Sequence, residues 1–136
     1  MKKLLLLALA PSLFINCTRD YYENDERIIL EGKVMRNNTP LKNAEVRIYP
    51  VYNTSPTSGI ISELTPNSSN DYVDDGHTII KTKTDASGKI ATSLPRNINT
   101  HIYAIKISSG YNSKYYGYIS QYNTNNYYVN LGTLNY

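Results

Sequence analysis

The sequence predicts an all-β domain, two stacked sheets built from about seven short strands. Three observations lead there. Apolar residues recur at every second position in short runs, and no stretch carries the period of 3.6 that an amphipathic helix needs. Turn chemistry rich in Asn, Asp, Gly, Pro and Ser separates those runs. The aromatic residues are 14 Tyr against one Phe and no Trp. Tyrosine favours strands and keeps a polar tip that wants water or a hydrogen-bond partner. The one Phe, Phe14, precedes the first strand-like run, so the domain must build its aromatic packing from tyrosine.

The chain opens on Met1-Lys2-Lys3 and the apolar run Leu4-Leu5-Leu6-Leu7-Ala8-Leu9-Ala10, the basic start and compact apolar stretch of a secretory signal peptide. The run is shorter than the ~20 apolar residues that cross a bilayer core. Ala8-Leu9-Ala10 offers a small-x-small cleavage site, but Pro11 would directly follow the cut. The stretch ending at Cys17, the single cysteine of the 136 residues, resembles the lipobox of bacterial lipoproteins. Asn16 stands where Gly or Ala is usual, and Phe14 where Leu is usual. The resemblance implies a lipoprotein signal peptide over 1–16 and acyl chains, palmitate among them, on Cys17. The other reading is an ordinary buried or free thiol, which an oxidising compartment disfavours.

Residues 17–27 then read as an acidic tether, Thr18-Arg19-Asp20-Tyr21-Tyr22-Glu23-Asn24-Asp25-Glu26-Arg27 after the cysteine. It is polar and without apolar periodicity, and extended it reaches at most ~35 Å. Thr18 resembles the outer-membrane sorting pattern of lipoproteins, and the acidic cluster the surface-export signal of Bacteroidetes lipoproteins; a plain flexible linker is the alternative.

The folded domain is expected over 28–136. Ile28, Leu30 and Val34 point one way along the first strand, Glu31 and Lys33 the other. Asn37-Asn38-Thr39-Pro40 is a turn, because Asn tolerates φ > 0. Ala44, Val46 and Ile48 then alternate with Glu45, Arg47 and Tyr49. Residues 50–76 read as a long inserted loop, dense in Ser, Thr, Asn and Pro, with the apolar island Gly59-Ile60-Ile61-Ser62-Glu63-Leu64. A strand over 78–84 precedes Thr84-Asp85-Ala86-Ser87-Gly88-Lys89, which has the residues of a tight hairpin turn. Ile90, Thr92 and Leu94 alternate until Pro95 stops the strand. Tyr103, Ile105 and Ile107 form the next inward row, Ser109-Gly110 a turn, and 114–120 and 127–131 the last strands.

Leu30-Glu31-Gly32-Lys33-Val34, Pro40-Leu41-Lys42-Asn43-Ala44-Glu45-Val46, Thr84-Asp85-Ala86-Ser87-Gly88-Lys89 and Tyr103-Ala104-Ile105-Lys106-Ile107, in that order, resemble the carboxypeptidase-regulatory-like, or transthyretin-like, domain. The resemblance spans Leu30 to Tyr136 and implies an Ig-like seven-stranded β-sandwich. It implies that Gly32 admits a neighbouring chain, that Leu41 and Ala44 seat a hairpin return, and that Asp85 with Gly88 closes the next hairpin. Ile90 departs from the aromatic usual after Gly-Lys, and the 50–76 insert is longer than typical. Pilin and collagen-adhesin modules of a related branch carry a Lys–Asn isopeptide bond promoted by a buried Glu. Lys33 and Asn130 fall on the first and last strands, but Ile107 stands where that Glu would be, so no isopeptide is expected.

Charge narrows the partners. Of the 14 basic residues two, Lys2 and Lys3, lie in the leader, which leaves 12 against 11 acidic. A near-neutral domain without a basic stripe excludes nucleic acid as a partner. Catalytic patterns are missing from the sequence: no Gly-x-Ser-x-Gly elbow, no paired carboxylates in an apolar setting and no Gly-rich phosphate cradle. His77 and His101 have no Cys, Asp or Glu at metal-ligand spacing. Asp71, Asp74 and Asp75 gather hard oxygen ligands on the insert, yet lack the alternation of an EF-hand loop and read as an acidic solvated turn. No cofactor is expected.

The C-terminal tyrosines divide by pleat. Tyr116 and Tyr118 share one face, opposite Tyr115 and Ile119. Tyr116, Tyr118 and Tyr128 are the candidate binding surface, because rigid amphipathic rings bind sugars or proteins at low entropic cost; the alternative is that they replace Phe and Trp in the core. The expected function is a non-enzymatic accessory or binding module. It would sit at the outer membrane through the lipid anchor, facing the cell surface, with an outer-membrane protein complex or a surface glycan as partner. A structural or adhesive surface module, or an enzyme of glycan or peptide breakdown, are the alternatives.

Overall fold

Strict alternation along the first strand sets the architecture: Ile28, Leu30 and Val34 are buried, while Ile29 and Lys33 between them are exposed. In this computed structural model, residues 26–52, 61–65, 72–73, 76–96, 102–119 and 127–136 are described, with backbone alone at 52, 62, 72–73, 102 and 118–119. The strands are β1 (Arg27–Arg36), β2 (Thr39–Pro40), β3 (Glu45–Tyr52), β4 (Ile61–Leu64), β5 (Tyr72–Val73), β6 (Ile80–Lys83), β7 (Lys89–Pro95), β8 (Ile102–Ser109), β9 (Asn112–Ile119) and β10 (Tyr128–Asn135).

Two sheets pack as a sandwich. In the smaller, β1 pairs with β10 in parallel along one edge, and with β7 and then β2, both antiparallel, along the other. The larger runs β4-β9-β8-β3, and β6 and β5 share the far edge of β3. The seven runs that the alternation predicts are β1, β3, β6, β7, β8, β9 and β10, and the chain is all-β as expected. Their inward rows meet in one core: Ile28, Leu30 and Val34 from β1, Val46 and Ile48 from β3, Ile105 and Ile107 from β8, and Val129, Leu131 and Leu134 from β10.

Local chemistry closes the turns. Asn37 and Asn38 both have positive φ (49° and 60°) between Arg36 and Thr39, which pair, the geometry of a two-residue type I′ hairpin. Gly32 works by close approach, as the resemblance implies: a Cβ there would stand 2.9 Å from Leu131 Cβ. Opposite it the register slips, so that Glu31 faces Asn130 but Lys33 faces Thr133. This bulge at Leu131–Gly132 lets Leu131 and Leu134 both turn inward.

Two expectations are corrected. The Thr84–Lys89 turn is not a hairpin within one sheet: β6 pairs with β3 in the larger sheet, and β7 with β1 in the smaller. Asp85 does organise it, accepting from the Ser87 N–H, the Ser87 hydroxyl and the Lys89 N–H, but the turn carries the chain across the sandwich. Turn residues report local curvature and do not say where the flanking strands find their partners. The 50–76 stretch is also not all loop. It contributes the end of β3 and the short strands β4 and β5, with Ile61–Leu64 pairing against Tyr115–Tyr118. Four residues make too short an alternation to read alone; the free edge of β9 supplies their hydrogen bonds.

Tyrosine hydroxyls clip the sheets together. Tyr116 on β9 donates to the Asn135 carbonyl of β10 in the other sheet. The Tyr136 hydroxyl donates to the Asn112 carbonyl at 2.6 Å and accepts from the Ser109 N–H at 3.1 Å, holding the β8–β9 turn. A second, smaller cluster lies on the outer face of the larger sheet: Tyr49, read as outward, is only 2% exposed and packs with Val51, Ala104, Leu64 and Tyr115.

Candidate functional site

The outer face of the smaller sheet is where exposed aromatic and charged side chains converge. On β1 the odd positions Ile29, Glu31 and Lys33 point outward because their even neighbours fill the core. Register then fixes their company: Ile29 lies opposite Tyr128 and Ser93, Glu31 opposite Asn130 and Ala91, Lys33 opposite Thr133 and Lys89. Ile29, Tyr127 and Tyr128 are 48%, 44% and 50% exposed. A shallow depression of about 390 Å³ opens here, lined by Glu31, Lys33, Lys89, Tyr128 and Asn130 among others.

Glu31 is the hub. Its carboxylate accepts from the Tyr128 hydroxyl at 2.7 Å and pairs with the Lys89 ammonium at 3.0 Å. The hydrogen bond from Tyr128, and then the one from Lys89, hold the Glu31 carboxyl below its ordinary range. Reciprocally, Glu31 raises both the Lys89 ammonium and the Tyr128 phenol. At the end where residue 26 enters the domain, the Arg96 guanidinium pairs with Glu26 at 3.0 Å and lies 5.0 Å from the Tyr127 ring centroid. Arg27 donates to the Ser93 hydroxyl and carbonyl.

The sign of the Glu31 shift gives a pH prediction. A carboxyl whose folded pKa is depressed adds stability above its unfolded pKa, about 4.3 for glutamate, and loses it as pH falls through the folded value. Between about pH 5 and pH 2.5 the wild-type melting temperature is therefore expected to fall further than that of Glu31→Gln. Glu45, also depressed by its hydrogen bonds, acts equally in both proteins and drops out of the difference; Asp85 nearly does, because the Ser87 and backbone hydrogen bonds that chiefly depress it do not involve Glu31. Parallel melting curves against pH would show that Glu31 gains nothing from its partners.

The tyrosines read from the sequence do not form one surface. Tyr128 is exposed at the depression, whereas Tyr116 is 6% exposed and belongs to the core. It leaves the candidate surface because inward parity on β9 and its bond to Asn135 bury the ring; burial raises its phenol pKa. The backbone of Tyr118 lies in β9 opposite Tyr103, and its side chain lies outside the described residues, as do Cys17, Asp71, Asp74, Asp75 and His101. His77 is exposed. Among the described residues no three His, Cys, Asp or Glu side chains group as a metal site. Lys33 and Asn130 do lie on the paired first and last strands, both exposed on the outer face, and Ile107 is buried in the core. The sequence alone gives no reason to group Ile29, Glu31, Lys33 and Lys89 with Tyr128. Their outward parity is legible, but that Lys89 stands beside β1 follows only from the crossing between sheets.

No protein-family model matches this chain, and no curated protein matches it either. Among solved structures it is similar to a 9R-lipoxygenase from Cyanothece PCC8801, at 13% identity and a TM-score of 0.47. That match covers 97% of this chain and 20% of the lipoxygenase chain, so the chain spans about one fifth of its length.

Proposed function

We propose that this chain is a non-enzymatic binding module, held at the outer membrane by acyl chains on Cys17. It meets its partner, a protein complex or a glycan, through the outer face of the smaller sheet. The observation that carries the reading is Tyr128: half-exposed, its ring is steadied by the hydroxyl bond to Glu31, and Ile29 and Asn130 flank it on the same face. A rigid aromatic ring on a sheet loses little conformational entropy when it is covered. The non-enzymatic reading rests on the sequence, which carries none of the nucleophile, acid–base or phosphate-cradle patterns. The anchor rests on the leader and its single cysteine, and the transthyretin-like assignment on the ordered segments from Leu30 to Ile107.

Mass spectrometry of the native N-terminus, coupled to capture of co-purifying molecules from intact membranes, tests the reading. Diacylglycerol on Cys17, release of Cys17→Ser from the membrane, and a partner lost on Tyr128→Ala are expected. An unacylated protein in the medium, or a partner retained in full by Tyr128→Ala, would overturn it.

A further inference from the structure

We propose that the depression on the outer face of the smaller sheet binds a carboxylated saccharide, its ring against Tyr128 and its carboxylate between the ammonium groups of Lys33 and Lys89. The inference rests on the binding-module reading and names the ligand class of that same face.

The first argument is electrostatic. Lys33 and Lys89 are direct cross-strand partners, both exposed on one face. Like charges placed directly opposite on a sheet are destabilising. The lining holds a single carboxylate, Glu31, and it pairs with Lys89. Lys33 makes no ion pair among the described residues. Asp85 acts on Lys89 through space, but its carboxylate is taken up by the Ser87 and Lys89 N–H groups of its own turn. An incoming carboxylate between the two ammoniums would gain charge-assisted hydrogen bonds from both and relieve their repulsion.

The second argument is shape and donor chemistry. The depression is shallow, about 390 Å³, within the range of small-molecule sites. Tyr128 supplies a flat apolar platform for the C–H-rich face of a sugar ring. Asn130, opposite Glu31, accepts the Gly132 N–H with its carbonyl oxygen at 2.8 Å, which leaves its NH₂ group to donate to a hydroxyl. An extended acidic peptide wants a free strand edge or apolar side-chain pockets. This hollow lies on a sheet face, and its lining sets the charged or polar Glu31, Lys33, Ser87, Lys89 and Asn130 around one aromatic ring, a setting for a ligand that carries both hydroxyls and an apolar ring face.

Calorimetric titration of the full chain with oligogalacturonate, hyaluronan fragments and sialyllactose, each beside its carboxyl-reduced neutral counterpart, tests the assignment. Binding of a carboxylated probe, weakening as salt rises, is expected. Lys33→Gln and Tyr128→Ala should each weaken it roughly tenfold or more, with circular dichroism unchanged. Lys83→Gln, on the other sheet, should leave it unaltered. Equal affinity for the neutral counterparts would overturn the carboxylate assignment and leave the binding-module reading standing. So would a chain that binds no saccharide yet loses a protein partner on Tyr128→Ala. A chain that binds neither overturns both.

Discussion

Replacing Thr84 with Val is expected to lower unfolding stability by about 2–4 kcal/mol, although the two side chains have nearly the same volume. Thr84 is 2% exposed. Its hydroxyl donates to the Leu41 carbonyl at 2.6 Å and accepts from the buried Ala44 N–H at 2.9 Å. Its backbone adds two more bonds to the same segment, Thr84 N–H to the Ala44 carbonyl and Asn43 N–H to the Thr84 carbonyl. Valine would keep the shape and leave the buried Ala44 N–H and the part-buried Leu41 carbonyl without this partner, at about 1–3 kcal/mol for each group that water does not reach. Thr84→Ser keeps the hydroxyl and should lose roughly 1 kcal/mol for the missing methyl. Urea unfolding with an unchanged m-value measures both. Equal midpoints for Thr84→Val and wild type would mean that the hydroxyl does not hold the residue 41–44 segment to the turn.

Gly88→Ala should be comparably severe, about 2–4 kcal/mol. Gly88 has φ +77°, and an added Cβ would meet the Val34 carbonyl oxygen at 2.5 Å and the Leu41 nitrogen at 3.2 Å. Both are backbone atoms, so no side chain can swing away. Moving the turn instead would break the 2.7 Å bond from the Val34 N–H to the Gly88 carbonyl, one of the contacts that tie the crossing between sheets to β1. Gly110→Ala is the control. Its φ is also positive, +63°, but nothing lies within 4 Å of the added carbon, so it should cost only about 1 kcal/mol of backbone strain. The difference between the two variants isolates the steric contact from the conformational preference; equal losses would assign the whole effect to φ.

Both sites sit where local reading and tertiary structure part company. Asp85, Ser87 and Gly88 form the compact turn that their chemistry announces, yet Thr84 on one side of it belongs with the residue 41–44 return and Lys89 on the other with β1. Tyr49 shows the same division: its outward parity is correct, and its burial comes from Leu64 and Tyr115 on strands that periodicity does not place beside it. Tyr116 and Tyr128 look alike in sequence. One clips the two sheets together and the other is half-exposed beside Glu31.

Alternation, turn residues and a tyrosine-dominated aromatic set were enough to determine the all-β class, the seven main strands and the inward rows Ile28/Leu30/Val34, Val46/Ile48 and Tyr103/Ile105/Ile107. Those properties are written in neighbouring residues, because a strand's two faces follow from its own pleat. Tertiary structure alone decided which strands share a sheet, that four residues of the insert become an edge strand, and that Lys33 and Lys89 stand opposite each other beside Tyr128. Strand partners are chosen by hydrogen bonds and packing between residues far apart in the chain, such as Glu31 and Tyr128, and a local pattern carries no record of that choice.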